Sequence, residues 1–163
     1  MKYDYVIKNR PDSSLLIVNL NDQEIKVEPG AMVYMKGNIN METKTGGIFG
    51  ALKRAVVGES VFMNTFKGTG TLAIAPGYNG DIIPIDLNET GEVYLQKGAY
   101  LASSPDVNIE VKTSFRGLLG GLGLFLMKIS GSVYEISGTG KVYVQTRSLE
   151  SFIDTIAPFL PKR

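Results

Sequence analysis

Two stretches of this 163-residue sequence resemble each other over nineteen consecutive positions, and this internal repeat restricts the possible folds more than any other feature. VEPGAMVYMKGNINMETKT (27–45) aligns without a gap with LQKGAYLASSPDVNIEVKT (95–113), in an alignment that places Gly30 on Gly98. Self-similarity at a fixed spacing is typical of folds built from repeated structural units, so the sequence predicts a duplicated module of roughly 70 residues.

The repeat continues beyond these stretches with altered spacing. GESVFMNTFKG (58–68) aligns with GLGLFLMKISG (121–131), and FKGTGTLAI (66–74) aligns with ISGTGKVYV (136–144). The first copy therefore carries five extra residues in its glycine-rich segment, and the second copy later gains seven, where KISG is followed by EISG.

Short segments rich in Val, Ile, Tyr and Thr alternate with turn-forming residues, which predicts an all-β fold of the sandwich or barrel kind. Asn21-Asp22 suits a tight hairpin turn, and Pro84 indicates an edge strand or a bulge because proline cannot donate to a central ladder. We expect a first β module (1–90) and a second (91–163) that form one compact unit. Strands are predicted at 14–20, 23–28, 31–35, 80–87, 91–96 and 140–146.

One short C-terminal helix is predicted in RSLESFIDTIAPFLPKR (147–163), where Ser148 is placed to cap the first turn and Pro158 to end the helix. Such an amphipathic helix either seals the open end of a sheet or docks on a neighbouring subunit. Its apolar face would consist of Leu149, Phe152, Ile153, Ile156 and Ala157.

Composition restricts the chemistry. The sequence contains no cysteine and no histidine, which removes thiolate metal sites, the commonest general base and all Ser-His or Cys-His arrangements. We therefore predict that the protein is not an enzyme and has no catalytic residues, no metal site and no cofactor.

The net charge and the hydropathy of the sequence do not point to a particular partner. Seventeen basic and sixteen acidic residues give a net charge of +1 without a long run of one sign, which argues against strong phosphate-backbone binding. Because no apolar run approaches ~18 residues and the segment MKYDYVIKNRPDSS has no signal-peptide core, we expect no transmembrane segment and a cytoplasmic location.

The glycine-rich segment GGIFGALKRAVVGESVF (46–62) holds most of the candidate ligand-binding residues, which are Lys53, Arg54, Glu59 and Ser60. A nucleotide phosphate loop ends in Gly-Lys-Ser/Thr and opens a helix, whereas this segment ends in Gly-Glu-Ser and an apolar, strand-like run. The equivalent segment in the second copy keeps the glycines and one basic residue, Arg116. We interpret the segment as a connector fixed by an Arg54–Glu59 pair, with anion binding as the alternative.

Basic residues of both copies would gather on one rim if the modules are related by rotation, with Phe49 and Phe115 beside them. Such a rim would hold RNA, another anionic ligand or an anionic lipid head group. Its cations would be Lys53, Arg54, Arg116 and Lys128.

Two further features have competing interpretations. The carboxylates Asp81, Asp86 and Glu89 are of the type that binds hard cations, but their spacing fits no EF-hand-like loop and favours a solvated turn. GLLGGLGLFLM (117–127) is interpreted as a buried strand after a glycine loop, with peripheral membrane contact as the alternative.

The sequence resembles the altered-inheritance-of-mitochondria family, which is grouped with proteins similar to the trp RNA-binding attenuation protein. The resemblance runs from about residue 15 onward. Its most specific parts are the R-x-x-x-GES-x-F-x-N-x-F pattern (54–66) and the closing QTRS (145–148). It also includes PGAMVYMKGNINMET, GAYLASSPDVNIEVKT and GLLGGLGLFLMKISG.

The resemblance implies repeated small β-sandwich modules, similar to a shortened double-stranded β-helix, assembled as a trimer or ring without established enzymatic activity. Typical members carry a further module between GLFLMKISG and QTRS, which this sequence lacks. The expected function is therefore a scaffold-like, self-associating β module in a homo-oligomer. The alternatives are a binding module for RNA or a small anionic ligand through a basic rim around Arg54, and a peripheral membrane-associated scaffold.

Overall fold

The structure, a computed structural model, describes residues 3–44, 63–112 and 133–160. These ranges hold ten strands, a one-turn helix (Leu87–Thr90) and a C-terminal helix (Leu149–Ile156). The strands are β1 (Asp4–Lys8), β2 (Leu15–Val27), β3 (Met32–Lys44), β4 (Met63–Ile74), β5 (Ile82–Asp86), β6 (Val93–Gln96), β7 (Tyr100–Ser103), β8 (Val107–Lys112), β9 (Val133–Gly138) and β10 (Lys141–Gln145).

The strands form two antiparallel sheets. The larger has the order β3-β4-β2-β7-β10-β5, with β1 added to β2, and the smaller has the order β6-β9-β8. The predicted all-β class with a short C-terminal helix is confirmed. Among the described residues, no helix is long and apolar enough to cross a membrane.

The hairpin predicted at Asn21-Asp22 is wrong, because β2 runs through both residues. Their neighbours Leu20 and Gln23 pair with Gly70 and Gly68 of β4, so two residues of β2 face only Thr69. Asp22 takes a φ of 50° and its amide N–H donates to Thr69 Oγ1 at 3.0 Å. The extra residue is thus absorbed as a β-bulge within a long, paired strand.

The prediction for Pro84 is confirmed. This residue lies in β5, which pairs with β10 on one side and ends the larger sheet.

Strands β3 and β4 pair in the same register as their counterparts in the second half of the chain. Ile39 pairs with Gly68, and their counterparts in the repeat, Val107 and Gly138, pair with each other in β8 and β9. The agreement continues through six residue pairs, to Lys44 with Met63 and Lys112 with Val133.

The same correspondence extends to the other strands. Ile25 of β2 pairs with Phe66, as Val93 of β6 pairs with Ile136. Met32–Met35 pairs with the end of β4 in the same way as β7 pairs with β10. Both pairings contain a register shift, which leaves Val33 unpaired in β3 and its counterpart Leu101 unpaired in β7. We call β2–β4 the first unit and β5–β10 the second unit.

Continuous strands of the first unit are divided in the second. β3 passes through Gly37, which has a φ of 105°, whereas Pro105 stands at the equivalent place between β7 and β8. Because proline holds φ at about −65°, it cannot adopt that conformation. This difference accounts for the break between β7 and β8, which lie in different sheets.

The two units also share core packing. One buried cluster combines Leu16, Ile25 and Phe66 of the first unit with Leu101 and Tyr143 of the second. A separate cluster lies within the second unit, around Leu87, Leu95, Tyr100, Val107, Ile136 and Val142.

Candidate functional site

The ligand-binding residues predicted from the sequence lie outside the described ranges, and so do the other members of the proposed rim and the 117–127 stretch. Their predicted roles stay predictions. The residues concerned are Lys53, Arg54, Glu59, Ser60 and Arg116, together with Phe49, Phe115 and Lys128.

The most exposed apolar surface of the sheets is the first part of β3, Met32–Met35. Met32, Val33, Tyr34 and Met35 are 37%, 55%, 44% and 45% exposed. Among the described strands, β3 pairs only with β4 and forms one end of the larger sheet. Within the described part of the chain, β3 therefore has an unpaired backbone edge, and the four apolar side chains along it, which point alternately to the two sheet faces, are partly exposed to solvent.

The counterparts of these four residues in β7 are buried. Tyr100 is 1% exposed, and Leu101, Ala102 and Ser103 are 0% exposed. Leu101 and Ala102 pack in one buried cluster and Tyr100 in the other, whereas Met32–Met35 belong to neither cluster. The backbone of β7 also pairs with β10 on one side and with β2 on the other. β7 is thus covered by the preceding unit, whereas no described strand covers β3.

The junction between β2 and β7 is a short antiparallel pairing. Lys26 pairs with Ser103 and Val27 with Ala102, and the backbone N–H of Glu28 donates to the carbonyl of Leu101 at 2.9 Å. Hydrogen bonds of Tyr100 support the junction: its hydroxyl lies 2.9 Å from Ser103 Oγ and 3.4 Å from the Lys26 carbonyl oxygen. Burial raises the pKa of Tyr100 above its ordinary value, so the hydroxyl stays protonated.

A cavity of about 430 Å³ lies beside the C-terminal helix. The QTRS segment forms one wall, and the aromatic rings of Tyr78 and Phe152, stacked with centroids 5.1 Å apart, form another. Arg147 lines this cavity, is exposed, and makes no ion pair with a described residue. The site therefore combines an aromatic surface with a guanidinium group that no described carboxylate neutralises.

Gln145 separates this cavity from a second one of about 270 Å³. Its buried Nε2 donates to Glu28 Oε2 at 2.8 Å and to the carbonyl oxygens of Gly98 and Tyr100 at 2.9 and 3.2 Å. Its Oε1 is buried and has no hydrogen-bond partner among the described residues. Gln145 thus ties the end of β10 to both units, and its role is positioning.

The predicted sealing role of the C-terminal helix holds only in part. Phe152 contacts Tyr78, but Leu149, Phe152 and Ile153 remain exposed on the helix surface. The alternative, docking on a neighbouring subunit, stays a prediction.

Two of the three carboxylates considered as cation ligands, Asp81 and Asp86, are paired with basic residues. Arg10 donates to Asp81 through Nε and Nη2, both at 2.8 Å, and these bonds, with one from Ser14, lower the pKa of Asp81. Asp86 accepts from Lys141 Nζ at 2.9 Å, which likewise lowers the pKa of Asp86. No group of three metal-ligating side chains occurs among the described residues.

AMVYM is predicted as a strand, but its exposure as a surface is not predicted. No local signal distinguishes Met32–Met35 from its buried counterpart Tyr100–Ser103, because neither stretch alternates apolar and polar residues. QTRS is predicted only as part of the family resemblance, and nothing local predicts the cavity beside it, because Tyr78 and Phe152 meet only in the folded chain.

Comparison with known proteins identifies the relatives of the chain. An uncharacterised protein of Streptococcus pyogenes serotype M6 is 34% identical over 120 residues, which make up 66% of this chain and 48% of the relative. The chain thus spans about half the length of that curated relative.

A crystal structure of a Streptococcus pyogenes protein, determined by a structural genomics consortium, matches with a TM-score of 0.62 and 21% identity. The match covers 98% of this chain and 100% of that one. At this identity the likeness concerns the fold alone. Residues 5–134 match the family described as mitochondrial biogenesis AIM24, which confirms the resemblance seen in the sequence, and the chain belongs to that family.

Proposed function

We propose that the protein is a non-enzymatic, self-associating β module that acts as a scaffold within a trimeric or ring-like homo-oligomer. The observation that carries the proposal is the exposed edge Met32–Met35, whose counterparts in β7 are buried. The absence of His and Cys from the sequence supports the non-enzymatic part.

An exposed apolar edge favours association for two reasons. Its unpaired backbone groups can add a strand from another chain, and a contiguous apolar patch on a soluble protein marks an interaction surface. A second copy of this chain is the partner that we propose, because the preceding unit already covers β7 in each chain.

The contribution of single side chains can be worked out from their exposure. Full burial of a Met-sized side chain contributes roughly 1.5–3 kcal/mol. Since Met35 and Tyr34 are 45% and 44% exposed, covering the rest of each contributes about 1 kcal/mol. Loss of both side chains therefore weakens association by about 2 kcal/mol, or roughly 30-fold.

Native mass spectrometry and sedimentation velocity on the full chain test this proposal. We expect an oligomer for the wild type and a shift toward monomer for the double variant Tyr34→Lys/Met35→Lys. The control is Val6→Lys, because Val6 is equally exposed (47%) but lies on β1. A monomeric wild type, or equal dissociation of the control, would contradict the proposal.

A second candidate function is the binding of a small anionic ligand in the cavity beside the C-terminal helix. The guanidinium group of Arg147 favours it, with the Tyr78–Phe152 pair as an apolar wall for the ligand body. The same native mass spectra provide the test: extra mass that survives gentle purification and is lost in Arg147→Gln supports a ligand there. Extra mass retained in Arg147→Gln but lost in Arg54→Ala would instead support the predicted rim.

A further inference from the structure

We infer that the β6 edge of one copy pairs with the β3 edge of the next, in the register of the internal β2–β7 junction. This inference rests on the proposed self-association and adds the contact through which it occurs. The geometry that carries it is the set of equivalent residue pairs in the two units, which assigns a second copy to the outer edges of β3 and β6.

The start of β3 has the same backbone pairing as β7. In each chain, β7 is covered by β2, and β7 is equivalent to Met32–Met35 in the alignment that places Gly30 on Gly98. These four residues have the same pairing to β4 that β7 has to β10, including the irregularity at Val33 and Leu101. Their backbone is therefore already shaped to accept a β2-like strand.

β6 is the strand that resembles β2. β6 is the counterpart of the end of β2, since Val93, Tyr94 and Leu95 pair with β9 as Ile25, Lys26 and Val27 pair with β4. β2 is covered on its other side by β7, whereas β6 is the end strand of the smaller sheet and pairs only with β9 among the described strands. Among the described strands, the outer side of β6 is thus an unpaired β2-like edge, and the outer side of Met32–Met35 is an unpaired β7-like edge.

The internal β2–β7 junction predicts the register of the contact between copies. When each residue is replaced by its counterpart in the other unit, the internal pair Lys26–Ser103 becomes Tyr94 of one copy opposite Met35 of the next. The Val27–Ala102 pair becomes Leu95 opposite Tyr34, and the bond from Glu28 N–H to the Leu101 carbonyl becomes one from Gln96 to Val33.

The contact joins two different surfaces, so it is heterologous. A heterologous contact generates a ring when its rotation closes and a filament when it does not. Each chain in such an assembly buries its β3 and β6 edges, and unpaired edges of this kind otherwise promote uncontrolled aggregation.

Engineered disulfides test the register, because the wild-type chain has no cysteine. Directly opposite residues in an antiparallel pair have Cβ atoms about 4.5–5.5 Å apart, close to disulfide reach, whereas diagonal neighbours are about 7–8 Å apart. We expect Met35→Cys/Tyr94→Cys to form covalent oligomers under mild oxidation. The matched control, Met35→Cys/Gln96→Cys, should cross-link at least tenfold more slowly.

A proline variant tests the same contact without removing the side chain of Tyr94, which hydrogen-bonds to Glu92 and Glu135. Gln96 has a φ of −61°, which proline adopts without strain, and its N–H is the expected donor across the contact. We expect Gln96→Pro to weaken association at least fivefold while retaining the wild-type circular dichroism spectrum, and Gln96→Ala to associate normally.

The outcomes separate the two proposals. An oligomer that cross-links preferentially in the control pair, or associates normally with Gln96→Pro, overturns the register and leaves self-association standing. A monomeric wild-type protein overturns both. Cross-linking specific to Met35 and Tyr94, together with weakened association of Gln96→Pro, supports both.

Discussion

Removal of the hydroxyl group from either of two buried tyrosines should change the stability of the protein, in opposite directions for the two residues. Tyr143 and Tyr100 are 0% and 1% exposed. The Tyr143 hydroxyl has no hydrogen-bond partner within the described part of the chain, whereas that of Tyr100 bonds to Ser103 Oγ at 2.9 Å. Burial raises the pKa of both tyrosines, so both hydroxyls are neutral at pH 7.

The expected magnitudes follow from these environments. Leaving a buried polar group unpaired costs about 1–3 kcal/mol, so Tyr143→Phe should stabilise the protein by about 1 kcal/mol. Tyr100→Phe loses a hydrogen bond and leaves the buried Ser103 hydroxyl without that partner, which should cost about 1.5–2 kcal/mol. At this chain length, a change of about 1 kcal/mol corresponds to about 2–4 °C in Tm.

Thermal and urea unfolding, measured at one protein concentration because association adds concentration-dependent stability, provide the assay. We expect Tm to rise by about 2–4 °C for Tyr143→Phe and to fall by about 3–8 °C for Tyr100→Phe. Ring packing is a shared contribution in both variants, since phenylalanine retains the ring of each tyrosine. Shifts of the same sign in both variants would refute the reasoning about hydroxyl satisfaction.

Two further predictions concern the backbone and an ion pair. Gly138→Ala should lower the free energy of unfolding by about 3 kcal/mol, because the residue has a φ of 102° and an added Cβ would lie 2.3 Å from the Asp106 carbonyl oxygen. Gly77→Ala, with open space around the residue, should change the free energy of unfolding little. Urea titrations of both variants measure the difference, and equal effects would contradict this account. The Arg10 hydrogen bonds lower the pKa of Asp81 below 3.8, so the pair stabilises the folded state above that pH and the contribution is lost as the pH falls. We therefore expect Asp81→Asn to be less stable than wild type at pH 7, and we expect this difference in stability to shrink toward pH 2. A stability difference that does not depend on pH would contradict the stabilising role of the Arg10–Asp81 pair.

The all-β class was predictable, because β2, β5, β6, β10 and the start of β3 carry strong local signals, whereas β1, β4, β7, β8 and β9 were not among the predicted strands. The segments around Leu16, Tyr94 and Val142 alternate or cluster β-branched and aromatic residues, and Pro84 indicated an edge. The second half of β3 was not predicted, since GNINMETK is polar and is held as a strand by its pairing with β4. Asn21-Asp22 has turn chemistry, yet flanking strands keep β2 continuous through a bulge.

The candidate site was less predictable. Among the described strands, the unpaired side of β3 is a property of sheet order, which no local pattern encodes. The cavity beside the C-terminal helix needs Tyr78 to meet Phe152, across a separation that only folding closes. Arg147 was visible in the QTRS motif, but its lack of an ion pair with a described residue depends on which carboxylates the fold brings near it.

The sequence by itself determined the all-β class, and the repeat alignment that places Ile39 on Val107 and Gly68 on Gly138 corresponds to equal registers in the two units. It could not determine the fate of AMVYM and AYLAS, which are apolar stretches at equivalent positions. Only the tertiary structure decided that β7 is buried and Met32–Met35 exposed, because the folded chain packs Tyr100, Leu101 and Ala102 into its two core clusters and none of Met32–Met35. β7 follows a unit that supplies such a neighbour in the same chain, and among the described strands β3 has no such neighbour.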